Sequence, residues 1–196
     1  MSVFFHTFKV GIPLLLLCIA LLWVMFGSNV IDNSYGLERH QDIYSPRLAS
    51  TSANYKSIRD LTEHLTYLTF GYSHCVDVCP ITLGQMASMA KQLPEDVRFI
   101  FVSVDVKRDN ISRLSSFLKP YGDNLIGWQL EKKELVEFAS QFGSGLDIQN
   151  DKQLGHGSGI HLINGNGVLV KTYPYLNLQL NKIVSDYTNF KKTELN

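Results

Sequence analysis

Two short runs constrain this chain more than anything else in it: Thr66–Gly71 (TYLTFG) and Arg98–Val104 (RFIFVSV). Both are β-prone and nearly continuously apolar, the pattern of strands buried on both faces. Between them, Pro80–Leu93 carries Ile81, Leu83, Met86, Met89, Ala90 and Leu93 at helical spacing. A strand, a helical crossover and a second strand make a right-handed parallel unit.

The alternation continues downstream. Asn110 precedes Ile111, Leu114, Phe117 and Leu118, a short amphipathic helix that must stop before Pro120. Leu125–Leu130 reads as a short strand, and Lys132–Phe142 as a helix with Leu135, Phe138, Ala139 and Phe142 on one face. Ile160–Ile163 and Val168–Tyr173 flank Asn164-Gly165-Asn166-Gly167, a strong hairpin signal, and Leu176–Phe190 closes the chain as an amphipathic helix. The expected class is α/β with a thioredoxin-like order: a central mixed sheet flanked by helices. Ligand-binding residues in such sheets gather beyond the carboxyl ends of strands.

The N-terminus does not belong to this pattern. Charged residues are absent from Gly11 through Ile31, and Val10–Phe26 is almost wholly apolar. The expected organisation is a cytoplasmic tail at 1–9, one transmembrane anchor or uncleaved signal at 10–31, a linker at 32–57 rich in Ser, Asn and Asp, and a folded domain at 58–196. Lys9 and the α-amino group favour a tail inside the cytoplasmic membrane and a domain on its periplasmic side. The chain has 18 basic and 18 acidic residues. Without the segment 1–31, which contributes Lys9 alone, 17 basic face 18 acidic residues, so there is no basic excess for a generic nucleic-acid binder. Three cysteines are too few for a disulfide-rich scaffold.

Cys18 falls in the apolar N-terminal run. Cys75 and Cys79 follow the first strand in Gly71-Tyr72-Ser73-His74-Cys75-Val76-Asp77-Val78-Cys79-Pro80. If the segment is helical, this spacing puts both sulfurs on one face. Pro80 suits the first turn of a helix, and thiols at a helix N-terminus have a lowered pKa. Spacing alone leaves three readings open: a redox pair able to close a disulfide, half of a soft-metal site, or two core thiols. A four-cysteine zinc site is excluded, and the thioredoxin redox motif separates its cysteines by two residues rather than three.

The run FGYSHCVDVCP, the later Ser103-Val104-Asp105-Val106-Lys107-Arg108-Asp109, and the histidine segment Gly155-His156-Gly157 ahead of a hairpin strand together resemble the Sco/SenC family of membrane-anchored copper proteins. The resemblance covers roughly 65–190. It implies a thioredoxin-like fold and a copper site, Cu(I) or Cu(II), made by Cys75, Cys79 and His156. It further implies a copper chaperone for the dinuclear copper centre of cytochrome c oxidase, with a copper-acceptor subunit of a respiratory oxidase as partner. On the alternative reading Cys75 and Cys79 are catalytic in thiol-disulfide exchange, form a disulfide when oxidised, and meet a thiol reductant or another copper chaperone. The chain departs from the family pattern at Val76, where proline is common, and at Gly155, where an acidic residue is usual. Asn54–Leu65 also lacks the usual strand hairpin with an Asp-Gly turn.

The remaining candidates are expected to be structural. Asp77 reads as a helix cap, and Asp105, Arg108 and Asp109 as a local ion-pair or cap network. Met86 and Met89 read as core fillers. His161 reads as a strand-packing or surface residue, and His74 as a neighbour of the thiols rather than a ligand.

Overall fold

In a computed structural model of the chain, strand β3 (Thr66–Gly71) and strand β4 (Arg98–Ser103) pair in parallel, from Thr66 opposite Arg98 to Gly71 opposite Ser103. The structure describes residues 15–22, 35–44, 46, 48–143, 159–174 and 178–194. The chain divides into two compact units, Met1–Ser34 and Tyr35–Asn196.

In the first unit, residues 15–22 form helix α1, with Leu15, Leu16, Leu17, Ile19, Leu21 and Leu22 exposed. No helix among the described residues is long and apolar enough to cross a membrane. The rest of the 10–31 run lies outside the described residues.

In the second unit, helix α2 (Val78–Ala90) makes the crossover from β3 to β4. Helix α3 (Ile111–Leu118) leads to strand β5 (Leu125–Gln129), which pairs in parallel with β4. Helix α4 (Lys132–Ser140) follows, then strands β6 (Gly159–Ile163) and β7 (Val168–Pro174) and helix α5 (Leu180–Glu194). β6 runs antiparallel to both β3 and β7, so the sheet is mixed as expected.

The stretch 32–57, expected as a linker, is instead partly structured: it supplies strand β1 (Leu37–Asp42) and strand β2 (Ala49–Ser50). These cap the two edges of a seven-stranded sheet in the order β1-β7-β6-β3-β4-β5-β2. All six residues of β1 are exposed, so it carries no apolar alternation that would mark it as a strand. Its pairing is decided elsewhere. Lys171 on β7 is buried and lies 3.1 Å from Glu38 of β1 and 3.0 Å from Asp186 of α5. Tyr173 donates a 3.0 Å hydrogen bond to the same Asp186 carboxylate, and Tyr35 stacks on the Tyr173 ring. A buried ammonium needs such partners, and they fasten β1 and α5 to one strand.

Alternate residues of the central strands feed two cores. On one face, Leu68, Phe70, Ile100, Val102, Ile126 and Trp128 meet Leu135 and Phe138 of α4. On the other, Tyr67, Phe99 and Phe101 meet Leu83, Met86 and Met89 of α2, Leu114 and Leu118 of α3, and Ile183 of α5. Met86 and Met89 are therefore core fillers; burying each is worth about 1.5–3 kcal/mol. The Asn164–Gly167 turn closes as its sequence demands. The Asn164 side chain accepts from the Asn166 and Val168 amides at 3.0 Å, and Gly167 takes a φ of 78°.

His161 on β6 is 3 % exposed and packs against the rings of Phe70 and Phe142. Its Nδ1 lies 3.0 Å from the Thr172 hydroxyl, while its Nε2 is buried without a hydrogen-bond partner. Burial, reinforced by the charge of Arg39, pushes the imidazole down to about 3. Between the ordinary histidine value and that value, the unfolded chain binds a proton that the folded chain refuses. Stability is therefore full at neutral pH and declines as pH falls through this window. The expected loss is about 2 kcal/mol between pH 7 and pH 5. Urea unfolding of the full chain in detergent at these two pH values should show it, and His161→Phe should abolish that part of the pH dependence.

Candidate functional site

The carboxyl end of β3 delivers the chain directly to the thiols. Cys75 does not sit on a helix: residues 72–75 form a turn, closed by the Cys75 amide donating to the Tyr72 carbonyl at 3.1 Å, and helix α2 begins only at Val78. The helical i, i+4 expectation for the pair is therefore replaced by a turn-plus-helix arrangement. Cys79 lies on the buried stripe of α2 with Thr82, Leu83, Met86 and Met89. Gly71 makes room for it: a Cβ there would lie 2.8 Å from the Cys79 sulfur and 2.6 Å from the Phe101 ring. Any side chain at this position would displace the thiol.

Asp77 occupies the N-cap position of α2, but its side chain makes no capping hydrogen bond. The expected aspartate cap is replaced by sulfur: the Cys79 amide donates to Cys75 Sγ at 3.4 Å. Burial raises the Cys75 thiol, but hydrogen bonding from the Cys79 side chain and from the Cys79, Asp77 and Val78 amides outweighs it, so its pKa ends below the ordinary thiol value. Unpaired N–H groups at a helix start favour a thiolate in this way. Cys79 moves in the opposite direction. Burial and its hydrogen bond to Cys75 push its pKa well up, against the Tyr72 amide that points at it. The two sulfurs are thus unequal: the pKa of Cys75 lies below the ordinary thiol value and that of Cys79 above it.

Tyr72, to which the sequence reading assigned no role, belongs to the site. Its hydroxyl hydrogen-bonds Cys75, and its phenol is pushed up by burial and then by the negative charge of the two cysteines. Its place directly after the strand was the available signal.

A second missed feature is the extent of the network around Asp109. This carboxylate is buried, accepts from the Ser73 amide at 3.0 Å and from the Ser103 hydroxyl at 2.6 Å, and also accepts from the Ser73 hydroxyl. Arg113 approaches it at 3.8 Å and donates to Ser73 Oγ at 2.7 Å. His74, partly exposed, lies 3.9 Å from the same carboxylate. Arg108 pairs with Asp105, and Gln129 donates to the Asp109 carbonyl at 2.6 Å. The expected ion-pair network is present, and it fastens the cysteine turn to the ends of β4 and β5 and the start of α3.

His156, with Gly155 and Gly157, lies outside the described residues. Among the described residues no group of three or more His, Cys, Asp or Glu could hold a metal ion. The described part of the donor set is the Cys75–Cys79 pair, whose two soft sulfurs suit a thiophilic ion such as Cu(I). His161 points into the aromatic core and away from this role.

A mixed sheet flanked by helices, with a thiol pair where the first parallel strand meets its crossover helix, defines a thiol-bearing protein of thioredoxin-like fold. A family model described as SCO1/SenC matches residues 43–191, and the chain belongs to that family. It is 28% identical over 125 residues to a mitochondrial SCO2 homolog of Danio rerio, a match that covers 59% of this chain and 45% of the zebrafish protein. The chain thus spans less than half of that relative's length. Among solved structures, ScoI of Arabidopsis thaliana with copper bound superposes with a TM-score of 0.66 at 22% identity, covering 81% of this chain and 98% of that one. BsSco, described through a disulfide switch and as a member of the Sco family of cytochrome c oxidase assembly proteins, superposes with a TM-score of 0.67 at 24% identity, covering 79% and 94%. At these identities the structural matches establish the fold.

Two outcomes follow from this geometry. Alkylation of the folded chain by iodoacetamide, followed by mass spectrometry across a pH series, should modify Cys75 at a lower pH than a free thiol and leave Cys79 protected. Asp109→Ala should cost about 2–3 kcal/mol in urea unfolding, because it strands the donors of Ser73 and Ser103 beside Arg113.

Proposed function

We propose that this protein is a copper-binding accessory protein that passes copper, as cargo, to the dinuclear copper centre of cytochrome c oxidase. Cys75, Cys79 and His156 hold the ion in this reading. The observation that carries it is the thiol pair at the start of α2, with the Cys79 amide donating to the Cys75 sulfur. Two thiolates and an imidazole suit three-coordinate Cu(I), and a further oxygen or nitrogen donor would suit Cu(II). The copper-bound relative and the oxidase-assembly description of the other support the same assignment.

Topology supports His156 as the third donor. β6 is antiparallel to β3, with Leu68 opposite His161, and the Thr69 hydroxyl donates to the Gly159 carbonyl at 2.8 Å. The chain therefore enters β6 at the carboxyl end of β3, the end that carries the thiols. His156 precedes Gly159 by three residues in the sequence, a separation that extended chain spans in at most about 10 Å.

In this proposal the apolar run 10–31 anchors the protein in the cytoplasmic membrane, with 1–9 inside and the folded domain on the periplasmic side. The partner is the copper-acceptor subunit of a respiratory oxidase.

The inequality of the two thiols favours a second reading on the same fold. The Cys75 thiolate attacks a partner disulfide, a mixed disulfide forms, and Cys79 resolves it to a Cys75–Cys79 disulfide while the partner leaves as a dithiol. Such a reaction would keep the cysteines of an acceptor copper site reduced, and the protein would then need a thiol reductant or another chaperone to reset it.

Cu(I) titration of the reduced full chain in detergent tests the leading reading. Tight 1:1 binding is expected, and Cys75→Ala, Cys79→Ala and His156→Ala should each weaken it by at least about tenfold. Unchanged affinity in His156→Ala would overturn the three-residue site. Absence of copper affinity, together with a reduction potential in the range of thiol-disulfide oxidoreductases, would select the second reading.

A further inference from the structure

Beside the cysteine turn lies an open cleft of about 610 Å³, lined by Ser73, by Arg108, Arg113 and three further polar residues of the 110–116 stretch, and by Phe117. Its charged side chains are both arginines. Both arginines direct Nε inward, Arg108 to the Asp105 carboxylate and Arg113 to Ser73 Oγ, which itself donates to Asp109. Asp105 and Asp109 are buried beneath them, whereas the arginine side chains are about half exposed, at 45% and 47%. The carboxylates are therefore withdrawn from solvent, while both arginines line the cleft. An Nε contact orients each guanidinium, and an oriented guanidinium can engage a further carboxylate in bidentate fashion. The ordering entropy of two long side chains is thus already spent in the free protein.

The location is as informative as the charge. Ser73 lines the cleft and lies two residues before Cys75. The charge of Arg108 is felt at the Tyr72 phenol, which is itself bonded to Cys75. Val76, next to Cys75, is 92% exposed, an apolar side chain presented to whatever approaches. The whole chain carries no net charge, so two arginines lining one cleft are a local feature and not a by-product of a basic surface.

We propose that this cleft is the docking site for an acidic segment of the protein that exchanges with the thiol pair, with Arg108 and Arg113 taking its carboxylates. The inference rests on the reading that Cys75 and Cys79 serve a partner protein. It extends that reading by assigning the partner a carboxylate-bearing segment next to the residues that reach the thiols. Paired guanidiniums steer such an approach and fix its orientation, and both effects weaken with salt.

The test avoids the arginines themselves, because they also brace the cysteine turn. Ser116 is an exposed residue of α3 on the cleft wall. Ser116→Glu places a competing carboxylate in the cleft, and Ser116→Lys adds a cation to it. Binding of a capped pentaglutamate peptide to the full chain in detergent is measured by calorimetry at low and high salt. Capped pentaglutamine and inorganic phosphate at matched ionic strength serve as comparisons.

The expected result is salt-sensitive binding of pentaglutamate alone, weakened about fivefold or more by Ser116→Glu and strengthened by Ser116→Lys. Bound pentaglutamate should also slow alkylation of Cys75. Equal affinity across the three proteins, or no pentaglutamate binding, would overturn the proposal. Phosphate binding that matches or exceeds that of the peptide would overturn it in favour of a small-anion site. Copper titration of the same variants separates this inference from the reading it rests on: intact 1:1 copper binding with no peptide binding removes the docking site alone.

Discussion

The parallel pairing of β3 with β4 is the constraint on which the rest of this structure depends. Parallel neighbours cannot be joined by a tight turn, so the chain must leave the carboxyl end of β3, cross the sheet as a helix and return. That crossover, α2, starts where β3 stops. Its unpaired amides therefore collect beyond the end of a central strand, and the cysteine turn is the segment that links the two. Cys75 supplies its sulfur where a capping oxygen would normally stand, and Cys79 is drawn into the core by the apolar stripe that packs α2 on the sheet. The chemical inequality of the two thiols follows from these positions: one faces helix amides, the other faces Phe101 and the core.

Around this junction the fold uses buried charge to hold loops that cannot hold themselves. A turn such as 72–75 has few backbone bonds of its own. Asp109 compensates by gathering Ser73 and Ser103 on one carboxylate with Arg113 and His74 nearby, so β4, α3 and the cysteine turn share one anchor. The arrangement buries the carboxylates and leaves the two arginine side chains about half exposed. Lys171 does the converse at the far edge of the sheet, where Glu38 and Asp186 converge on a buried ammonium and bind in β1 and α5. In both places a single buried ion organises elements distant in sequence, because leaving it unpaired would cost several kcal/mol.

Much of the fold was legible in the sequence wherever side-chain periodicity and burial coincide. β3 spans the residues that its apolar run predicts, and β4 and β5 do so to within one residue. Asn110 caps α3 with its side chain accepting from the Arg113 amide at 2.9 Å. The Asn-Gly-Asn-Gly hairpin formed between the strands expected to flank it. Legibility failed where polarity hid pairing: β1 is entirely exposed, and its place in the sheet is set by Lys171 and Tyr173, more than a hundred residues away in the chain. It failed again at Asp77, where position suggested a cap but a sulfur two residues earlier took the amide.

The sequence by itself determined the alternation of strands and helices, the family, and Cys75 and Cys79 as the candidate site, because all of these rest on residue type and local spacing. Only the tertiary structure decided that the thiols are unequal, that Tyr72 and Asp109 belong to their surroundings, and that Arg108 and Arg113 face outward over buried carboxylates. The physical reason is that pKa, burial and the direction of a charge depend on which segments the sheet brings together, and a sequence pattern records periodicity within a segment but not the field that another segment imposes on it.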